Sequence, residues 1–157
     1  MKLLFVCMGN ICRSPTAKAV VDRHLRLAGL HEQISTDSAG THGYHIGEPP
    51  DERAQAVARR SGMDISQDLA RQLVAEDFTR YDLILVMDER NHRDASRVAP
   101  AQARARLRLM MEYAPDYGLH EVPDPYYGGE EGFLRVVDML DRAAEQLVLE
   151  LRQQLQA

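Results

Sequence analysis

A cysteine and an arginine separated by five residues lie near the start of the sequence, Cys7 and Arg13, and Ser14 follows them. A cysteine thiolate is a nucleophile, and the planar guanidinium of an arginine can hold two oxygens of one phosphoryl group. The combination predicts a site where a phosphate-like dianion binds and the Cys7 sulfur attacks it. The alternative is a small buried cysteine beside an arginine that caps a helix.

The segment between these residues is predicted to join the carboxyl end of a strand to the amino end of a helix. The apolar run at residues 2–6 is typical of a buried strand. Ser14 is predicted as the N-cap of the helix and Pro15 as its first residue. The helix, at residues 15–28, has apolar residues at helical spacing, namely Ala17, Val20, Val21, Leu25 and Ala28. Ligands of open α/β sheets bind at such strand ends.

The start of this helix favours anions, because its first amide groups have no partner within the helix and the macrodipole adds positive potential. Gly9 lets the preceding loop curl so that its N–H groups point inward. The same field favours the thiolate form of Cys7. The loop lacks the Gly-Lys-Ser/Thr ending of a nucleotide P-loop. The residues predicted to bind phosphate are Met8, Gly9, Asn10, Ile11, Cys12, Arg13 and Ser14.

The pattern Cys-x5-Arg-Ser after a first strand resembles the loop of the low-molecular-weight protein-tyrosine phosphatases. Other segments of the sequence are also similar to that family, and the resemblance covers nearly the whole chain. These segments are Ser38-Ala39-Gly40-Thr41, Ala70-Arg71-Gln72, Met87-Asp88 and Asp124-Pro125-Tyr126-Tyr127. The resemblance implies a flavodoxin-like fold with strand order 2-1-3-4.

The resemblance also implies the roles of residues outside the loop. Asp124 is expected to act as the general acid, where the bare sequence Asp-Pro would indicate only a turn. Ser38 is expected to brace Asn10 and so hold the loop in shape. Asp88 is predicted from the sequence as a helix N-cap, and the resemblance permits a further role beside the active site.

The resemblance further implies a redox role for the second cysteine, because family members with both cysteines form a bridge between them. Cys12 would then capture an oxidised Cys7 as a disulfide. The alternative is that Cys12 packs beneath the loop.

Ser14 is expected to donate a hydrogen bond to the sulfur of Cys7 when that sulfur departs from phosphorus.

A slit that accepts an aromatic ring is predicted from Met8 and Ile11, which project from the loop, and from Tyr126 beside the acid. The family often has a tryptophan in the slit wall, but this chain has no Trp. Tyr44 is the nearest candidate for that wall. His42 and His45 lie nearby without companion ligands at metal spacing, so a solvated loop is predicted and neither a metal nor a cofactor is expected.

One position departs from the family pattern. Some relatives have histidine two residues before the Ala of the Ala-Arg-Gln segment, within the network that braces the loop. This chain has Asp68 there. This difference affects the expected hydrogen-bond network around the loop, but not the expected roles of Cys7, Arg13 and Asp124 in the reaction.

The remaining pattern predicts a three-layer α/β fold. Further strands are expected at residues 33–40, 81–87 and 107–110, and further helices at 51–60, after Asp88 through Arg97, and at 132–151. Strands that alternate with helices indicate a parallel sheet with right-handed crossovers. The buried stripe predicted for the last helix is Leu134, Val137, Leu140, Ala144, Leu147 and Leu151.

Length and composition fit one domain over residues 1–157, with 45% hydrophobic and 27% charged residues. The net charge of -5 argues against nucleic acid as a partner. No apolar run is long enough to cross a membrane, and no secretory segment is evident. Two cysteines five positions apart do not form a disulfide framework, so a reducing cytoplasm is expected.

The predicted function is hydrolysis of phosphotyrosine and aryl phosphate monoesters through a phosphocysteine intermediate. Phosphotyrosine proteins, inorganic phosphate and similar oxyanions are the expected partners. One alternative is a thiol-dependent arsenate reductase of the same fold, although that chemistry usually recruits cysteines outside the loop. The other is a non-catalytic phosphate-binding module, which would not need both Cys7 and Asp124.

Overall fold

A four-stranded parallel sheet forms the centre of the computed structural model, which describes residues 1–157. The strand order is β2-β1-β3-β4, as the family resemblance implied. In the register, Leu4 of β1 lies opposite Asp37 of β2 and Ile84 of β3. The strands are β1 Lys2–Cys7, β2 Ser35–Gly40, β3 Leu83–Val86 and β4 Arg106–Leu109.

Helices connect the strands and cover both faces of the sheet, as right-handed crossovers require. They are α1 Arg13–Leu27, α2 Glu52–Arg60, α3 Asp77–Arg80, α4 Glu89–Val98 and α5 Glu130–Gln156. Short 3-10 turns at Met110–Tyr113 and Pro115–Tyr117 follow β4. No helix combines the length and the apolar character needed to span a membrane.

Two hydrophobic layers flank the sheet because successive side chains of a strand point to opposite faces. Leu3 and Phe5 of β1 lie in the larger cluster, with residues of α1, α2 and α5. Leu4 and Val6 lie in the smaller one, with residues of α3 and α4. Both faces of β1 are therefore buried, which explains why its sequence is a continuous apolar run.

The predicted N-cap of α1 was wrong. The helix begins at Arg13, and Cys12 is the capping residue without a side-chain cap bond. Ser14 lies inside the first turn and is fully buried. Its hydroxyl oxygen instead contacts Cys7 and Asn10, so the loop and not the helix end determines where this side chain points.

The prediction of which α5 residues are buried is confirmed over the second half of the stripe and was wrong at its start. Leu134 is 45% exposed and Val137 is half-buried, whereas Phe133 and Val136 face the core. The predicted stripe began with steps of three residues, from Leu134 to Val137 to Leu140. Each such step falls about 60° short of a full helical turn, so residues chosen in this way move progressively around the helix and away from its buried face. Steps of four and three back from Leu140 give Val136 and Phe133, which stay on that face.

Candidate active site

The loop between β1 and α1 lies at the carboxyl end of the sheet and is held by the residues that follow β2. Thr41 N–H donates to the carbonyl of Cys7 at 2.9 Å, and His42 N–H donates to the carbonyl of Met8 at 3.0 Å. Gly40 passes directly beneath, and a Cβ at this position would lie 2.7 Å from the Met8 carbonyl oxygen. Only glycine permits this approach of the two backbones.

Asn10 holds the curve of the loop. Its φ of 60° lies in the left-handed region, which asparagine tolerates better than most residues. Its side-chain amide donates to Ser14 Oγ at 2.8 Å and to Ser38 Oγ at 2.9 Å. Its side-chain oxygen accepts from the backbone N–H of Arg71 at 3.0 Å. The contact expected between Ser38 and Asn10 is thus present. The third hydrogen bond of the Asn10 side chain comes from Arg71, and Asp68 makes none with it.

The sulfur of Cys7 lies at the floor of the loop and is 2% exposed as a residue. Ser14 Oγ is 3.1 Å from Cys7 Sγ, and the backbone N–H of Ser14 donates to the same sulfur at 3.4 Å. Both groups can donate hydrogen bonds to a thiolate. The first turn of α1 thus directs two polar groups of Ser14 at the sulfur of Cys7.

Arg13 is buried and its guanidinium is oriented by two acceptors. Nη1 donates to Asp88 Oδ2 at 2.6 Å and to the carbonyl of Val122 at 3.0 Å. Burial by itself would lower the pKa of Arg13, but the charges of Cys7 and Asp88 raise it above its usual value. The guanidinium thus stays charged, and its other nitrogen, Nη2, lies on the side of Asp124.

Asp124 lies on the loop that precedes α5. This loop packs against the end of β3. Its Oδ2 is 3.8 Å from Arg13 Nη2. Its Oδ1 accepts from the backbone N–H of Tyr126 at 3.1 Å. Val122 N–H donates to the carbonyl of Met87 at 2.8 Å, which anchors this loop to the strand. Residues more than a hundred positions apart in sequence are therefore neighbours in space.

A cavity of about 240 Å³ opens above these groups. Its walls include the four residues predicted for the slit: Met8, Ile11, Tyr44 and Tyr126. Cys7, Gly9, Cys12, Arg13 and Asp124 also line it. Ser38 is not among the lining residues, in keeping with a place behind the loop.

Two lining residues were not predicted as part of the slit, His45 and Tyr127. His45 was expected only in a solvated loop, but its Nδ1 lies 2.6 Å from Glu48 Oε2 and its ring lies beside Gly9. Tyr44 stacks on His42 with ring centroids 5.1 Å apart. The loop at residues 42–48 therefore forms one rim of the cavity.

Cys12 is the last residue of the loop between β1 and α1 and is buried there as a free thiol. Burial raises the pKa of the Cys12 thiol, and the nearby Asp51 carboxylate adds to the rise. Cys12 is therefore a protonated thiol at neutral pH.

Sequence reasoning did not predict the pairing of Asp88 with Arg13. Asp88 does serve as the N-cap of α4, since its side chain accepts from Asn91 N–H at 2.7 Å. The available signal was its position two residues after the end of β3, because the carboxyl ends of parallel strands meet at one edge. A carboxylate there lies close to whatever anion-binding group follows β1.

A cysteine sulfur at the floor of a strand–helix loop, with a buried guanidinium and a carboxyl group beside it at one strand edge, is typical of cysteine-dependent phosphatases. The comparisons agree with this class. The family model described as "Low molecular weight phosphotyrosine protein phosphatase" matches residues 2–157. The chain belongs to this family and is a cysteine-dependent hydrolase.

Individual relatives are similar over most of their length. A putative low molecular weight protein-tyrosine-phosphatase of Synechocystis is 44% identical over 99% of both chains. The low molecular weight phosphotyrosine protein phosphatase of Homo sapiens is 44% identical over 83% of both. A crystal structure of a protein tyrosine phosphatase from Entamoeba histolytica superposes with a TM-score of 0.93 at 41% identity, covering 98% of this chain and 97% of that one.

Proposed function

We propose that this protein hydrolyses phosphotyrosine in proteins, and aryl phosphate monoesters in general, through a phosphocysteine intermediate. One observation carries the proposal: Cys7, Arg13 and Asp124 line the same cavity, with the acid 3.8 Å from the phosphate clamp. A nucleophile, an electrostatic clamp and a proton donor are the three parts that phosphomonoester cleavage requires.

In the first step the Cys7 thiolate attacks phosphorus in line with the ester bond. The P–S bond forms as the P–O bond to the phenol breaks, and protonated Asp124 gives its proton to the departing phenolate oxygen. Arg13 and the loop amides hold the equatorial oxygens while negative charge moves across them. The product is the free phenol and a phosphocysteine at position 7.

In the second step a water molecule attacks the phosphocysteine. Asp124, now a carboxylate, takes a proton from that water as the P–O bond forms and the P–S bond breaks. Ser14 Oγ, 3.1 Å from Cys7 Sγ, donates a hydrogen bond to the departing thiolate. Inorganic phosphate leaves, and the thiolate is ready for the next cycle.

The cavity walls support selectivity for an aromatic ester. Phosphotyrosine places its phosphoryl group farther from the backbone than phosphoserine does, so a deep site bounded by Met8, Ile11 and Tyr126 excludes the shorter side chain. An aromatic ring between these walls gains burial and stacking energy. Tyr44 also lines the cavity, is 71% exposed and can cover the ring from outside.

The match over residues 2–157 supports assigning the chain to one domain. The presence of only two cysteines, five positions apart, supports a reducing compartment such as the cytoplasm. A net charge of -5 favours protein substrates over nucleic acid. The arsenate reductase and the non-catalytic module are less well supported, because the relatives described above are named as phosphatases.

Turnover of aryl phosphates by matched variants tests the proposal. We expect Cys7→Ser to lose activity on p-nitrophenyl phosphate while it still binds inorganic phosphate, and wild type to keep its activity in the presence of a chelator. Phosphotyrosine peptides should exceed phosphoserine peptides in kcat/KM by at least about a hundredfold, since only the former reach the acid and clamp together. Substantial turnover by Cys7→Ser, or equal rates on both peptides, would contradict the mechanism or the slit.

A further inference from the structure

Arg53, near the start of α2, connects that helix to the loop that carries Asp124. Its Nη2 donates to the carbonyl of Tyr126 at 3.0 Å, and its Nη1 donates to the carbonyl of Gly128 at 3.3 Å. These two carbonyls belong to the segment that follows Asp124. Arg53 therefore crosslinks two segments that lie more than 70 residues apart.

The guanidinium also packs between two aromatic rings. Its central carbon lies 5.4 Å from the ring centroid of Tyr126 and 4.8 Å from that of Phe133. Phe133 is buried in α5, whereas Tyr126 forms a wall of the cavity. Stacking on a fixed ring restrains Arg53, and Arg53 in turn restrains the Tyr126 ring.

The other end of this crosslink is attached to the phosphate-binding loop. Asp51 caps α2 and accepts from Arg53 Nε and Nη2 at 3.0 Å each. The hydrogen bond from the Arg53 side chain is the main reason that the pKa of Asp51 is lowered. The backbone N–H of Asp51 donates to the carbonyl of Ile11 at 2.9 Å. The loop that binds phosphate and the loop that carries the acid are thus joined through Asp51 and Arg53.

Tyr126 is the residue through which this crosslink reaches the acid. Its backbone N–H donates to Asp124 Oδ1 at 3.1 Å, while its carbonyl accepts from Arg53. The backbone of one residue therefore contacts the carboxyl group and the arginine. Movement of this residue would turn the Asp124 carboxyl away from the leaving group, since that hydrogen bond sets the carboxyl orientation.

We propose that Arg53 is a positioning residue for the general acid: it holds the Tyr126 backbone, and thereby the Asp124 carboxyl group, in line with the leaving oxygen. The proposal rests on the function proposed above, in which Asp124 donates the proton. Arg53 is not among the residues that line the cavity, so its effect passes through Tyr126 and not through substrate. The Asp51–Arg53 pair also sets the distance between the acid and the phosphate-binding loop.

The test compares kcat/KM for a poor leaving group, phenyl phosphate, with that for a better one, p-nitrophenyl phosphate. Arg53→Met keeps an apolar side chain to pack on Phe133 but removes every hydrogen bond to the loop. Arg59→Met is the matched control, because Arg59 is an exposed arginine of the same helix. Both substitutions are also made in the Asp124→Asn background, with circular dichroism to verify folding.

We expect Arg53→Met to lower kcat/KM for phenyl phosphate on the order of tenfold, a part of the roughly 10²–10⁴-fold contribution of a general acid. The loss should be smaller for p-nitrophenyl phosphate and absent in the Asp124→Asn background, while Arg59→Met should match wild type. Arg53→Lys, which keeps the charge but not the fork, should show a smaller loss with the same leaving-group dependence. If Arg53→Met does not fold, the leaving-group dependence of Arg53→Lys decides the test.

An equal loss on both substrates, or an equal loss with and without the Asp124 carboxyl, would show that Arg53 only stabilises the fold and would overturn the proposal. Unchanged kcat/KM for phenyl phosphate would overturn it as well. These results are distinguishable from failure of the proposed function. In that case Asp124→Asn alone would show no leaving-group dependence, or wild type would not hydrolyse either ester.

Discussion

Arg13 and Asp88 form a short ion pair, 2.6 Å from Nη1 to Oδ2, although they lie 75 positions apart in the sequence. The arginine is 3% exposed and the aspartate 21% exposed at their side chains. A buried guanidinium without a counter-charge is unfavourable, so Asp88 permits Arg13 to remain in the core. Because Asp88 occupies only one side of the guanidinium, the other side can face a phosphoryl group.

Asp88→Asn should lower both stability and activity. Asparagine keeps the cap of α4 but removes the charge, so we expect the free energy of unfolding to fall on the order of 3 kcal/mol. A misoriented guanidinium should also lower kcat/KM for p-nitrophenyl phosphate by roughly tenfold to a hundredfold. Urea unfolding and steady-state kinetics measure the two effects. Asp88→Ala should lose about 1 kcal/mol more through the missing cap, whereas wild-type values for Asp88→Asn would show that the ion pair is dispensable.

Asn10 combines a left-handed backbone with three side-chain hydrogen bonds, and two substitutions separate these contributions. Asn10→Ala should lose stability on the order of 3 kcal/mol, from the lost bonds and the unfavourable φ together. Asn10→Gly loses the same hydrogen bonds, but glycine adopts a left-handed backbone without strain. This variant should therefore be about 1 kcal/mol more stable than Asn10→Ala. Urea unfolding provides the comparison. Equal stabilities of the two variants would mean that strain plays no part at this position.

Cys12 is predicted to protect Cys7 from irreversible oxidation. Peroxide converts the Cys7 thiolate to a sulfenic acid, and attack by Cys12 sulfur on it forms the disulfide and releases water. Wild type inactivated by peroxide should recover with dithiothreitol, and Cys12→Ser should recover much less. Because Cys12 is protonated at neutral pH, closure of the bridge should accelerate as the pH rises.

Intact-protein mass spectrometry distinguishes this role from simple packing. The oxidised wild type should have lost two hydrogens relative to the reduced protein. Addition of oxygen at Cys7, together with equal recovery of wild type and Cys12→Ser, would leave Cys12 as a packing residue only.

Asp68 is predicted to destabilise the protein at neutral pH. Its pKa is raised, first by burial and then by Asp22, against the opposing effect of Lys18. A carboxyl group whose pKa is higher in the folded state binds its proton more tightly there, so the fold loses stability as the pH rises above 3.8 and through the folded-state value. Asp68→Asn should therefore be more stable than wild type at pH 7.

Thermal unfolding of both proteins over a pH series measures this effect. The gain from Asp68→Asn should be greatest at neutral pH and should vanish in acid, where both side chains are neutral. A gain that does not change with pH would point to packing rather than to charge. Activity should be nearly unchanged, since Arg71 and not Asp68 hydrogen-bonds to Asn10.

Much of the candidate site could be located from the sequence because its first part depends on short spacings. The five residues between Cys7 and Arg13 fit one loop between a strand and a helix, and this loop type requires no information from distant segments. Alternation of apolar runs with helical periodicity predicted the parallel sheet. The strand order and the place of Asp124 came from the family resemblance, not from the pattern itself.

By itself, then, the sequence determined the loop, the alternation of strands and helices, and the face of α1 that is buried, since each depends on neighbouring residues. Only the tertiary structure decided that Asp88 pairs with Arg13 and that Arg53 holds Tyr126. It also decided that the Ser14 side chain points toward Cys7 instead of capping α1. Such contacts depend on which strand ends and loops pack together, and no local spacing encodes the geometry of groups that meet across different elements.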